Sequence, residues 1–260
     1  MTSTIPTFSP MPGAAPLPRM VAAQARMEAR LMLRNGEQLL LAVVIPVIVL
    51  IGGVLGAEHL HLHLSERPVD VFTPGVLALA IMSTSFTSLA IATGFERRYG
   101  VIKRLGSSPL PRSGLLAGKI GGLLFVEVLQ IVVIGIVGAL LGWHPSAAAG
   151  TVVGFVVCLV LGTAAFASLG LFVAGVLRAE ATLAAANLVY LLLLAGGAVV
   201  LPVSSYGGWG QVAHWLPSGA LGEAMRAALI DGHVAGLDLV VLLGWAVLGT
   251  VLTARTFTWE

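Results

Sequence analysis

The chain has 260 residues, of which 57% are hydrophobic and 10% charged, with a mean hydropathy of +0.98. Soluble domains carry about 25% charged residues, so this composition excludes a water-soluble globular protein and points to membrane-spanning helices. A net charge of +2 is too small for a nucleic-acid footprint, and the single Cys158 excludes an intrachain disulfide framework or a cysteine metal centre.

Residues 1–18 hold Pro6, Pro10, Pro12, Pro16 and Pro18 with little charge and no continuous apolar run, the pattern of a flexible tail rather than a cleaved signal peptide. From 19 to 35, Met20, Met27 and Leu31 recur at helical spacing while Arg19, Arg26, Arg30 and Arg34 line a neighbouring face. That pattern predicts a helix lying along the cytoplasmic interface, and it is equally the basic flank that fixes topology.

Apolar runs place six spans at 38–57, 72–95, 115–142, 150–177, 181–203 and 235–254. Each is long enough to cross about 30 Å of hydrocarbon at about 1.5 Å per residue. With the amino end inside, twelve of the fourteen Lys and Arg residues fall in cytoplasmic segments, and only Arg67 and Arg226 fall outside. The positive-inside rule therefore predicts that both termini are cytoplasmic. Gly114, Gly118 and Gly122 repeat every fourth residue at the start of the third span, as do Gly52 with Gly56, Gly138 with Gly142 and Gly150 with Gly154. Such small residues let helix backbones approach closely in lipid.

Between the spans, Glu58-His-Leu-His-Leu-His63 sets His59, His61 and His63 in the first outer loop. Imidazoles at this spacing suit a divalent metal or an acidity sensor, but the ligand set is incomplete and a solvated loop is the reading adopted, with no metal assigned. The loop at 96–114 carries the basic block Glu96-Arg-Arg-Tyr-Gly-Val-Ile-Lys-Arg-Leu105. After the fifth span, Ser204–Gly210 is a glycine-rich break, Trp209 and Trp215 suit a headgroup belt, and residues 218–230 have helical periodicity ended by Gly232. Leu221, Met225 and Leu229 form its apolar stripe and Glu223 can pair with Arg226, giving an outer helix that is either re-entrant or interfacial.

Polar residues inside spans are candidates for a transport pathway or a subunit interface, because lipid penalises them. They are Ser85 and Ser88 in a hydroxyl cluster with Ser83, Thr84, Thr87 and Thr93, Glu127 with Gln130, Asn187 with Tyr190, and Asp238. A purely structural role, satisfied by neighbouring helices, stands beside the functional one for Glu127 and for the hydroxyls.

One order runs through the chain: Arg34-Asn-Gly-Glu-Gln before Ile45-Pro46-Val47, the Glu96–Leu105 block, Pro109-Leu-Pro111 before Gly118-Lys119, and Trp215-Leu-Pro-Ser218 leading to Ala224-Met-Arg226. This order resembles the permease subunits of type-2 ATP-binding-cassette (ABC) exporters, in particular the daunorubicin-resistance-like drug-efflux branch. The resemblance implies an all-α, six-span, non-enzymatic membrane domain over 36–260. It also implies pairing with a second permease, identical or homologous, and with two copies of a cytoplasmic ABC ATPase that carries ATP and Mg. It implies a multi-pass protein of a bacterial inner membrane that moves a hydrophobic or amphipathic, drug-like compound. Lipid or polysaccharide export is the alternative cargo.

In that family the segment between spans two and three couples the permease to its ATPase, so Glu96, Arg97, Arg98, Tyr99, Gly100, Ile102, Lys103, Arg104 and Leu105 are carried over as coupling residues. Physically, Tyr99, Ile102 and Leu105 at an i, i+3, i+6 spacing make an apolar edge beside charges that can meet an acidic rim. The chain lacks a phosphate loop of its own, since Gly114-Leu-Leu-Ala-Gly118-Lys119-Ile120 is one residue short and has no magnesium-binding hydroxyl. A proton-coupled secondary transporter using Glu127 or Asp238 is a rival, although no inverted repeat is evident. An intramembrane protease built on Ser168 has no histidine in the sixth span to activate it.

Overall fold

A computed structural model describes residues 15–36, 40–59, 66–106 and 110–256, and among these the regular structure is helical, without a strand. His61, His63 and most of the proline-rich tail lie outside the described residues. Helix α1 (Leu17–Arg34) opens on prolines, which suit a first helical turn because its N–H groups need no intrahelical acceptor. A π-helical turn at Leu40–Val44 leads into α2 (Ile45–His59). The second span is built from α3 (Pro68–Met82), a π-helical segment at Ser83–Ser88 and α4 (Leu89–Arg98). Then come α5 (Val101–Gly106), α6 (Arg112–Leu140), α7 (Ala149–Val176) and α8 (Ala179–Gly196). A 3-10 stretch at Val203–Trp209, α9 (Gly210–Ala213), α10 (Pro217–Leu229) and α11 (Gly236–Thr256) complete the described chain.

Six of these helical stretches are long and apolar enough to cross a membrane: Ala42–His59, Pro68–Arg98, Ser113–Leu140, Ala149–Val176, Ala179–Gly196 and Gly236–Thr256. In the apolar stretch of the second, 83% of residues are buried inside the chain, against 17% to 44% in those of the others, so it is the axis of the bundle. Its residues from Val71 to Phe86 are apolar, small or hydroxylic on every side, which is what a helix needs when protein surrounds it. Helices α2, α6 and α10 pack around α3, while α7 and α8 enclose α4. Alternation of the spans gathers α1, the α4–α6 connection, the α7–α8 junction and the end of α11 at one end. This basic end carries every described Lys and Arg except Arg67 and Arg226.

The opposite end departs from the span drawn to residue 203. Helix α8 stops at Gly196, and Gly197–Pro202 passes through the protein as non-helical chain. The reason is Arg226 on α10, whose guanidinium donates to the carbonyls of Ala198, Val199, Val200 and Leu201 at 3.2–3.3 Å and to Glu223 Oε1 at 2.9 Å. Glu223 Oε1 in turn accepts the Val203 N–H at 2.8 Å. Unwound backbone is tolerable at membrane depth only when its polar groups find partners in protein, and Arg226 supplies them. Close approach does the rest: a Cβ on Gly75 would lie 2.3 Å from the Val200 carbonyl oxygen and one on Gly222 would lie 2.7 Å from that of Val199.

The same contacts settle the character of α10. All of its residues but Glu223 are buried, wedged against α3, α7 and α11. Leu221, Met225 and Leu229 are buried and so is the opposite side of the helix, so the outer helix expected from the sequence is covered by the chain's own spans rather than laid on their surface.

Candidate functional site

The basic end is built around the junction of the second and third spans. Helix α4 ends at Arg98; Tyr99 and Gly100 form a turn, with Gly100 at φ 67°, a left-handed conformation that glycine adopts without steric cost. The six-residue α5 follows. Tyr99, Ile102 and Leu105 therefore do not share one helix, which corrects the edge drawn from their spacing: Tyr99 lies in the turn, 63% exposed, and stacks on Phe95 at 6.2 Å between ring centroids. The Arg98 guanidinium sits 5.7 Å from the Tyr99 ring centroid, a cation–π arrangement.

The charged residues of the block divide into two groups. Glu96 accepts Lys119 Nζ on both carboxylate oxygens at 2.7 Å, and Lys119 also lies 3.4 Å from Glu28 of α1, whose Oε1 accepts Gln24 Nε2 at 2.8 Å. Arg97 donates to the carbonyls of Ala174 and, at 2.8 Å, Gly175, at the C-terminal turn of α7, where a cation complements the helix dipole. These two side chains point back into the bundle and brace the junction. Arg98 pairs with Glu180 of α8, and Lys103 and Arg104 are exposed on α5 with Leu105 half-buried. The outward group is thus Arg98, Tyr99, Lys103 and Arg104.

Lys119 and Glu28 were not among the candidate residues, yet they tie α1 to the junction. Helix α1 lies along the start of α6, where the glycine repeat forms its seat: a Cβ on Gly118 would lie 2.4 Å from Gln24 Cγ, and one on Gly122 would lie 2.5 Å from Glu28 Cβ. A signal existed in the sequence, since Lys119, directly after Gly118 in an otherwise apolar span, calls for a carboxylate nearby. Which carboxylates meet it depended on the tertiary packing. The lysine of the incomplete phosphate loop is therefore a structural ion-pair partner inside α6.

The polar residues within the spans converge deep in the bundle. Glu127 accepts from the hydroxyl of Ser85 in the π-helical segment and from Thr163 of α7 at 2.8 Å. Gln130 accepts from Thr84 at 2.8 Å and donates to the Ala42 carbonyl at 2.5 Å. This network joins the first four spans inside one chain. Ser88 is half-buried at the edge of the network; Tyr190 is half-buried next to Ser83, whereas Asn187 is exposed on the outer face of α8. Asp238 lies at the opposite end, with His214 Nδ1 3.6 Å from its carboxylate, and Ser168 donates to the Ala165 carbonyl at 2.9 Å within its own helix. His59 sits on α2 with Nδ1 2.9 Å from the Leu55 carbonyl oxygen, and among the described residues no three His, Cys, Asp or Glu side chains converge as a metal site.

A six-span bundle centred on its second span, with a buried helix on one side and a basic helical junction on the other, defines a polytopic membrane transport permease. The chain belongs to the ABC-2 type transporter family, whose match runs over residues 21–230. Association with an ABC ATPase subunit goes with that family. The chain is also 24% identical over 183 residues to YvfS of Bacillus subtilis (strain 168), to which a transport-permease role is ascribed; the match covers 67% of this chain and 71% of YvfS.

Proposed function

We propose that this chain is the non-catalytic permease subunit of an ATP-driven exporter in a bacterial inner membrane, with its basic end and both termini in the cytoplasm. Two copies of a cytoplasmic ATPase, which hold the ATP and Mg, drive it, and a second permease, identical or homologous, completes the pathway. Its cargo is a hydrophobic or amphipathic compound moved outward. The observation that carries this reading is the division of labour at the α4–α6 junction: Glu96 and Arg97 anchor it while Tyr99, Lys103 and Arg104 are displayed to a partner. A displayed edge on an anchored base transmits force to the spans, because the second span it continues packs against α7 and α8 and runs into the buried centre of the bundle. The second permease is supported by α8, which is sparsely covered and exposes the amide of Asn187 where lipid would leave it unsatisfied.

The test is purification of the chain from its native membrane in mild detergent, with mass spectrometry of the proteins that accompany it. An ABC ATPase is expected, and a Lys103→Glu, Arg104→Glu double variant that stays folded is expected to lose it. Substrate accumulation in inside-out vesicles driven by a proton gradient without ATP would replace this reading with a secondary transporter.

A further inference from the structure

Where the end of α4 meets the α7–α8 junction, the basic end opens into a cleft of about 430 Å³. Small-molecule sites span about 300–1,000 Å³, so the cleft holds a headgroup-sized ligand. Arg97, Arg98 and Arg178 line it against one carboxylate, Glu180. Glu180 is taken by Arg98, Arg97 is held in place by the carbonyls at the end of α7, and no carboxylate among the described residues lies within ion-pair distance of Arg178. The lining is therefore net positive. Helix α8 begins in the cleft at Ala179, and its N-cap residue Arg178 makes no side-chain cap, so its first N–H groups add a second attraction for an anion. The remaining wall is apolar: Val176 and Leu177 line the cleft, and the exposed Val176 and Leu183 continue it along the flanks of α7 and α8.

Cationic groups and a helix start above an apolar flank match a ligand that is a phosphate at one end and hydrocarbon at the other. We propose that this cleft binds the phosphate headgroup of an anionic phospholipid, its acyl chains lying against α7 and α8. The proposal rests on the basic end lying at a membrane surface and requires no ATPase. It gives Arg178 and Glu180 a role that the coupling block does not: they set the charge of a lipid site one helix away from α5.

The experiment is native mass spectrometry of the full chain in neutral detergent, titrated with phosphatidylglycerol or with phosphatidylcholine of the same acyl composition. Phosphatidylglycerol is expected to be retained in preference. Arg178→Ala should lower its retention about fivefold, the effect of one basic group at an anionic surface, and Glu180→Gln should raise it by removing the competing carboxylate. Arg255→Ala, at the same end but outside the cleft, should leave it unchanged. Equal retention of the two lipids, or equal losses in Arg178→Ala and Arg255→Ala, would overturn the site in favour of diffuse attraction. Displacement of the lipid by millimolar inorganic phosphate would show an anion site that does not select lipid. If Arg178→Ala fails to fold, the sign of the Glu180→Gln change decides. None of these outcomes bears on whether an ATPase co-purifies.

Discussion

Arg226 shows how one side chain holds a broken helix together. Four carbonyls of the unwound 198–201 segment converge on its guanidinium, and Glu223 balances its charge. Ala198 sits at φ 53°, in the left-handed region that disfavours a side chain, with its carbonyl caught by this cation. Removing one partner of a buried ion pair costs about 3–5 kcal/mol. Arg226→Leu should therefore abolish the monodisperse folded peak in detergent chromatography, and Arg226→Lys should lower the thermal midpoint by less, because an ammonium keeps the charge but not the planar fork. Equal stability of wild type and Arg226→Leu would contradict the capping role. Glu127 is the counterpart at mid-bundle. Glu127→Ala strands the hydroxyls of Ser85 and Thr163, at about 1–3 kcal/mol for unsatisfied buried groups. Glu127→Gln retains one acceptor, so its melting curve should lie between those of Glu127→Ala and wild type.

At the scale of elements, α1 and α6 act as one body. The glycine repeat of α6 is a groove filled by α1, and Lys119 closes it by bridging Glu28 and Glu96. A Cβ on Gly121 would stand 3.0 Å from Ala25 Cβ, so a relaxation of a few tenths of an ångström reaches the disulfide range of about 3.5–4.5 Å. In a Cys158→Ala background, Ala25→Cys with Gly121→Cys should cross-link on mild oxidation, read as protection from a bulky maleimide. Adding Gly118→Leu should suppress the cross-link, since the new side chain occupies the space of Gln24. Persistence of the cross-link in that triple variant would mean that the groove does not seat α1.

At the scale of the whole molecule, the sorting of charge between two ends predicts sidedness. With Cys158→Ala as background, Arg67→Cys should react with a membrane-impermeant maleimide on intact cells, and Arg104→Cys only after permeabilisation. The reverse pattern would invert the topology and place α5 out of reach of a cytoplasmic ATPase. The architecture also gives the junction mechanical reach. The second span is buried from Val71 to Phe86 and packs against α7 and α8 below that, so displacement at Arg98 is passed to those two helices.

Much of this was legible from local composition. The six spans, the helix after Pro16, the glycine seat on the third span and the Glu223–Arg226 pair are set by residues close together in the chain, and hydropathy and helical spacing report them directly. The basic block was legible as a feature but not in its parts: Glu96 and Arg97 turn inward because Lys119 and the carbonyls at the end of α7 lie there, 23 and 77 residues away in sequence. By itself the sequence determined the helical class, the number of spans and the sorting of charge, because each follows from how single segments partition between water and lipid. Only the tertiary structure decided which span is central, that α10 is buried on all sides, that Glu127 is satisfied within one chain and which arginines share a cleft, because those depend on partners supplied by distant helices.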